Sequence, residues 1–358
     1  MTYDVVVVGL GGVGSATAAA LARRGSRVLG LDRYPPVHDQ GASAGETRIV
    51  RKAYFEGAGY VPLLHRAYEL WDELGLLTRT GALFLGTETD RVLGGTLATA
   101  QHWDLPYELL DAADVHRRFP AFTPPDGTVG LLEADAGYVS PERAVAAQLE
   151  RAARAGAELR HEEPVTSWTE TARGVRVVTD RGGYEAGSLV VAPGSWAGEL
   201  LPSLPVPLRV EPRRVGFFAP ADPTPFALGR FPVWIWERPD GTAPYGFPLV
   251  GSGVKTAIHH STVRPGGDWA PADVAALLAP LLPALGDRVV RELRCTYTLT
   301  PDQHYVVGRL PGHARVLVAC GLSGHGFKLT PVLGEALADL AVDGETAHDL
   351  GLFDPERG

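Results

Sequence analysis

The run Gly9-Leu-Gly-Gly-Val-Gly14 and the acid Asp32 are the first residues whose types and spacing could do chemistry. Gly9 permits a tight turn out of a strand, Gly11 lets the backbone approach a pyrophosphate, and Gly14 lets the following helix pack against the strand. The helix N-terminus then offers free N–H groups and the positive end of its dipole to phosphates. A carboxylate at Asp32 is placed to accept from ribose hydroxyls, and it repels a 2′-phosphate, which disfavours NADP. The chemistry implied is redox chemistry on a bound dinucleotide.

Two scarcities add to this. Lysine occurs only at Lys52, Lys255 and Lys328, and every other basic residue is arginine. Surface positions accept either cation, whereas a position that stays lysine can require a compact ammonium or one whose pKa can shift. There are two cysteines, Cys295 and Cys320. That is too few for a disulfide scaffold or a structural zinc site, and each reads first as a small buried apolar residue.

The elements that must position these groups are legible in part. Val5-Val-Val-Val8 reads as a parallel strand buried on both faces. An alanine-rich helix follows over residues 15–24, and a second strand over 27–31 leads to Asp32. Residues 60–77 have helical spacing, and Ala82-Leu-Phe-Leu85 reads as a strand. Residues 87–137 read as irregular with short helices. Ser140-Pro-Glu-Arg143 starts a helix with serine at the N-cap and proline at N1. Ser188-Leu-Val-Val-Ala192 is a further buried strand. From 209 to 300 the pattern alternates, which predicts an antiparallel sheet. Arg315-Val-Leu-Val-Ala-Cys320 is a strand, and Gly321-Leu-Ser-Gly-His-Gly-Phe-Lys328 is a glycine-rich loop. Thr330-Pro331 then caps a C-terminal helix.

With 45% hydrophobic and 21% charged residues, the 358-residue chain reads as an ordinary soluble globular protein with two interleaved domains. The net charge of −9 and the lack of a long basic cluster argue against nucleic-acid binding. No apolar run approaches the ~20 residues of a membrane span. The N-terminus opens into a strand rather than a signal peptide. The expectation is a cytoplasmic protein, and a monomer.

NAD and FAD are separated by organisation. A nicotinamide domain continues strand, helix, strand after Asp32. Here a long insert intervenes before sheet-like segments return near Leu189 and Val316, which by analogy is more typical of FAD-dependent oxidases. Gly45-Glu-Thr-Arg-Ile-Val-Arg-Lys-Ala-Tyr54, Tyr245-Gly-Phe-Pro248, Cys295-Thr-Tyr-Thr298, Asp302-Gln-His304 and Gly324-His-Gly-Phe-Lys328 occur in this order. Together they resemble the monomeric sarcosine oxidase and N-methyltryptophan oxidase family over essentially the whole chain.

The resemblance implies an α/β (α+β) fold. A Rossmann-like FAD domain (1–85, 140–208 and 305–358) would carry a second, mainly antiparallel-sheet substrate domain (86–139 and 209–304). It implies oxidation of secondary N-methyl or N-alkyl amino acids, with hydride transfer to flavin N5. Reoxidation by O2 gives H2O2, and the imine hydrolyses to aldehyde and amine. It implies FAD attached through its 8α-methyl group to the sulfur of Cys295. Lys255 is expected to activate oxygen beside N5, where a fixed cation stabilises developing superoxide charge. Arg51 and Lys328 are expected to bind the substrate carboxylate. His259, on the same strand face as Lys255, could meet the substrate amine or be a packed polar residue. Arg48 and Thr47 would face the flavin from its other side, and Tyr54, Tyr245 and Tyr297 could wall the pocket. Further cofactor contacts fall to Gly12, Arg33, Ser43, Val165, Gly194, Trp196, Gly321, Gly324, His325, Gly326 and Phe327.

Ser43-Ala44 replace the family's histidines, and Trp234-Ile-Trp236 and residues 239–243 differ on the expected substrate side. These departures make a larger or cyclic amine plausible. Cyclic imino acids or a biosynthetic amine therefore remain as alternative substrates. A carrier-linked dehydrogenase, an NAD-dependent dehydrogenase and a non-catalytic flavin-binding subunit remain as alternative classes.

Overall fold

The computed structural model describes residues 2–357. Thr2–Val8 pairs in parallel with Val28–Leu31 on one side and with Gly182–Val191 on the other. Val5 and Val7 point into a core shared with helices, whereas Val6 and Val8 point into a second core on the opposite face. Cover on both faces explains the unbroken β-branched run, since each buried valine contributes roughly 1.5–3 kcal/mol relative to exposure. The eight-stranded sheet continues through Glu158–Arg160 beyond Val28–Leu31. On the other side Gly182–Val191 also carries Val316–Cys320 in parallel and Gly174–Thr179 antiparallel.

Helix Gly12–Arg23 packs against both Pro141–Arg154 and Thr330–Val342. Ser140 caps the second of these, its hydroxyl accepting from the Arg143 N–H as its sequence position predicts. Thr330 differs from expectation. It is the first helical residue, the N-cap position is Leu329, and no side chain caps that end.

A second eight-stranded sheet carries the other half of the molecule. Its order is Val289–Leu299, Arg209–Phe218, Gly253–His260, Ala243–Val250, Val233–Trp236, Ala82–Gly86, Val129–Glu133 and Glu108–Leu110. All neighbours are antiparallel except Val233–Trp236 with Ala82–Gly86. The strand Ala82–Gly86, expected in the first domain from its place in the sequence, makes its backbone hydrogen bonds in the second sheet. Residues 87–137 are also more regular than expected. They include the twelve-residue helix Arg91–His102, the helix Ala112–Arg118 and two strands of this sheet. A small sheet of Arg48–Val50, Gly137–Val139 and Thr78–Arg79 joins the two halves beside the loop at residues 42–47.

Among the described residues, no helix is long and apolar enough to cross a membrane, and no cluster of three or more potential metal ligands occurs.

Candidate active site

One long cleft runs from the first glycine loop, past residues 42–51, to the inner face of the second sheet and the 321–328 loop. At its first end Gly9 has φ +86°, the left-handed region that favours glycine. A Cβ on Gly14 would lie 1.7 Å from the Gly9 carbonyl oxygen, so helix and strand can meet only without a side chain there. A Cβ on Gly11 would meet only the Ser43 side chain, its hydroxyl at 3.2 Å, and would otherwise fill the cleft itself. Gly11 thus leaves a cradle at a helix N-terminus, which suits a pyrophosphate. Ser43 accepts from the Gly12 N–H at 3.0 Å.

Asp32 is buried at the same end. Its carboxylate accepts from the Leu10 N–H at 2.6 Å and the Tyr34 N–H at 2.9 Å, and each oxygen keeps a lone pair for a hydroxyl donor. Arg33, Val165, Gly194 and Trp196 line the same end, with the Arg33 guanidinium 5.3 Å from the Trp196 ring centre. Glu163, in no sequence motif, also lines the cleft, and its buried Oε2 has no hydrogen-bond partner. A cradle for phosphates and buried acceptors for hydroxyl or amine donors fit the adenosine diphosphate half of FAD.

In the middle, the loop at residues 42–47 is held by side chains on both sides. Glu142 accepts from the Gly45 N–H at 2.6 Å and the Glu46 N–H at 2.9 Å. Arg48 donates to the carbonyls of Ala42, Ala44 and Thr47. The loop therefore turns the carbonyls of Gly45 and Thr47 toward Lys255, whose Nζ donates to each at 2.7 Å. Lys255 is buried, and burial together with Arg48 pushes its ammonium well below the usual lysine range. Thr47 Oγ1 lies 3.2 Å from Nζ and can accept from the ammonium or donate to the neutral amine. Arg48 thus works here as a clamp on the loop as well as a cleft residue.

Strand alternation and register build the next wall. Lys255, Ala257 and His259 share one face of Gly253–His260, and Cys295 and Tyr297 share one face of Val289–Leu299. The intervening strand pairs Phe217 with Lys255 and Arg213 with Cys295. Tyr245, Phe247 and Ile235 complete the wall. Cys295 packs beside Tyr245 and Leu293 against Val215, Phe217 and Ala257. Cys320 borders the same cleft but is a core residue whose thiol burial pushes up to about 12. His259 touches Tyr297 Oη at 3.4 Å, and burial and His260 push its imidazolium well below the usual range, so the ring is neutral. The expectation for Trp234 and Trp236 fails. Both point to the opposite core, and of that strand only Ile235 reaches the cleft.

The far end is cationic. Arg51 is 2% exposed, and its Nη2 donates to both Glu56 oxygens at 2.8 and 2.6 Å. Burial alone would raise the Glu56 carboxyl, but chiefly the Arg51 guanidinium holds it far below the carboxylate range. Lys328 Nζ donates to the His325 carbonyl at 2.6 Å and to Tyr54 Oη at 3.2 Å. Burial, then Arg51, lowers its pKa from 10.5 to about 7. Tyr54 does not wall the cleft. It is fully buried behind it, with the Arg51 guanidinium 4.3 Å and Lys328 Nζ 4.8 Å from its ring centre. His325 is pushed down to about 4 by burial and is neutral. Its Nε2–H donates to the Gln303 carbonyl at 2.9 Å, so Nδ1 accepts from Tyr54 at 2.6 Å and lies 2.9 Å from Tyr305 Oη. This network fixes Lys328.

The structure brings the other expected residues to the cleft: Gly12, Thr47, Gly321, Gly324, Gly326 and Phe327 all line it. Phe247 and Ile235 lie inside segments expected at the site, whereas Glu56, an acid in a loop, carries no distinguishing local signal.

A model of the FAD dependent oxidoreductase family matches residues 4–340. The chain is 44% identical to the monomeric sarcosine oxidase of Streptomyces avermitilis, over 99% of this chain and 98% of that protein. It is 36% identical to the N-methyl-L-tryptophan oxidase of Salmonella typhimurium, with the same coverage of each. Among solved structures it is similar to NikD, described as an unusual amino acid oxidase essential for nikkomycin biosynthesis. The TM-score is 0.85 at 29% identity, covering 99% of this chain and 97% of that one. A glycine cradle at a helix N-terminus, a buried acid beside it and a cleft that leads on to Arg51 and Lys328 accord with these matches, and this chain belongs to the FAD dependent oxidoreductase family.

Proposed function

We propose that the protein is an oxidase of secondary N-methyl or N-alkyl amino acids, yielding H2O2 and an imine that hydrolyses to an aldehyde and an amine. The observation that carries this reading is the convergence of two buried cations, Arg51 and Lys328, at the end of the cleft remote from Asp32. Two cations behind a half-apolar wall suit a small carboxylate joined to an apolar carbon chain. FAD, when bound, supplies the two-electron acceptor for the carbon next to nitrogen and the route of those electrons to O2.

The chain's own residues divide the remaining work. Arg51 and Lys328 hold the carboxylate, which fixes the orientation of the amine. His259, neutral in the folded protein, accepts a hydrogen bond from the amine N–H and so orients it. Lys255 answers negative charge arriving beside it by binding a proton more tightly, and so favours oxygen reduction. Cys295, on the wall next to Tyr245 and Leu293, is our candidate for the covalent 8α-S-cysteinyl link. We further propose a cytoplasmic monomer, with O2 and an amino acid as its only partners.

The test is a peroxide assay on purified holoenzyme over sarcosine, larger N-methyl amino acids, cyclic imino acids and matched amines without a carboxyl group. Peroxide from the N-methyl amino acids and none from the carboxyl-free amines is expected. Equal turnover of the carboxyl-free amines would overturn the assignment.

A further inference from the structure

Glu163 is a buried carboxylate at the adenosine end of the cleft, 1% exposed, in a position no motif picks out. It is built into place. Its backbone N–H donates to the Asp32 carbonyl at 2.8 Å, so the two acids lie side by side at the ends of neighbouring strands. Its Oε1 accepts from Thr179 Oγ1 at 2.8 Å and from the Tyr184 hydroxyl. Two donors on Oε1 fix the plane of the carboxylate and leave Oε2 turned away from them. Oε2 is buried and has no hydrogen-bond partner. The nearest cations, Arg160 and Arg181, stand 3.9 and 4.0 Å from it, beyond hydrogen-bonding reach. Buried carboxylate oxygens are rarely left unpartnered, and one held rigid at the wall of a ligand cleft marks the place of a ligand donor.

We propose that Glu163 Oε2 accepts a hydrogen bond from the adenosine half of FAD and is a binding residue for that half, beside Asp32. Adenosine offers two kinds of donor, the exocyclic 6-amino group of adenine and the ribose hydroxyls. Both satisfy the same requirement, an N–H or O–H pointed at a fixed acceptor. A second buried carboxylate next to Asp32 also adds to the rejection of a 2′-phosphate, by like-charge repulsion.

Glu163→Gln is a shape-conserving probe. Thr179 and Tyr184 donate to Oε1, so the amide must turn its oxygen toward them and its NH2 into the cleft. The substitution exchanges an acceptor for a donor. The experiment measures release of flavin from holoenzyme in a Cys295→Ser background, which has no thiol at that position to tether the cofactor. The protein is loaded with FAD, with the analogue carrying hypoxanthine in place of adenine, or with the 2′-deoxyribose analogue.

If the adenine amine is the donor, the parent protein releases the hypoxanthine analogue about tenfold or more faster than FAD, and Glu163→Gln reverses that order, because a 6-oxo group accepts from the new NH2. If a ribose hydroxyl is the donor, the parent releases the 2′-deoxy analogue faster, and Glu163→Gln shrinks that difference to the share held by Asp32. Equal release of all three flavins from the parent overturns the proposal, even if the variant does not fold. So does a variant that keeps the parent's order and ratios.

Discussion

Glu56 occupies the guanidinium of Arg51 through both of its oxygens, at 2.8 and 2.6 Å, with both side chains buried at the end of the cleft. The residue expected to grip a substrate carboxylate is thus already paired with a carboxylate of the chain. A substrate anion must share the Arg51 charge with Glu56, through donors that Glu56 and the Ala53 carbonyl leave free, or displace Glu56.

Removing one partner of this pair therefore separates stability from binding. Arg51→Ala leaves a buried, unpaired acid and should cost about 3–5 kcal/mol of stability. Glu56→Gln keeps the shape, removes the competing charge and should lower KM for an amino-acid substrate several-fold. The Arg51→Ala, Glu56→Ala double variant should regain much of the lost stability without regaining substrate affinity. Urea unfolding and steady-state kinetics measure the two effects, and a raised KM in Glu56→Gln would contradict competition.

Lys328 gives the site a pH dependence. Its folded pKa of about 7 lies below the ordinary 10.5, so between those values the unfolded chain binds the extra proton. Folding stability from this group therefore rises with pH across that window. Anion binding has the opposite sign, because the ammonium is populated only below about 7. The affinity for a small monocarboxylate without an amine should fall as pH rises through about 7, and Lys328→Arg should flatten that dependence. A flavin-absorbance titration with such a ligand across this range would reveal either behaviour.

Lys255→Met should slow reoxidation of the reduced enzyme by O2 about 100-fold or more, the scale of losing one preorganised electrostatic group. Anaerobic reduction by substrate should change far less. Stopped-flow measurement of the two half-reactions distinguishes them, and equal loss in both would remove Lys255 from the oxygen reaction.

Acid precipitation of the purified protein tests Cys295. The pellet of the parent protein should stay yellow, and Cys295→Ser should release its flavin to the supernatant. Cys320→Ser should leave the pellet yellow, because that thiol lies in the core of the first domain. Free flavin from the parent protein would end the proposal of a covalent link.

The amino-acid sequence by itself determined the phosphate-binding unit. Val5 to Val8, the three glycines and Asp32 are contiguous, and each states a local requirement: cover on both faces, a positive φ, a helix too close for a Cβ, an acid at a strand end. Such requirements survive without knowledge of the rest of the chain. Family motifs also drew attention to Cys295 and Lys328, and the scarcity of lysine to Lys255. Tertiary structure alone decided what these groups face. Strand register carries Lys255 and Cys295 to one wall and turns Trp234 and Trp236 away from it. Loop geometry sets Glu56 on Arg51 and leaves a buried Glu163 oxygen without a partner. Those outcomes depend on pairing between segments far apart in sequence, where shifting a strand by one residue would exchange its two faces.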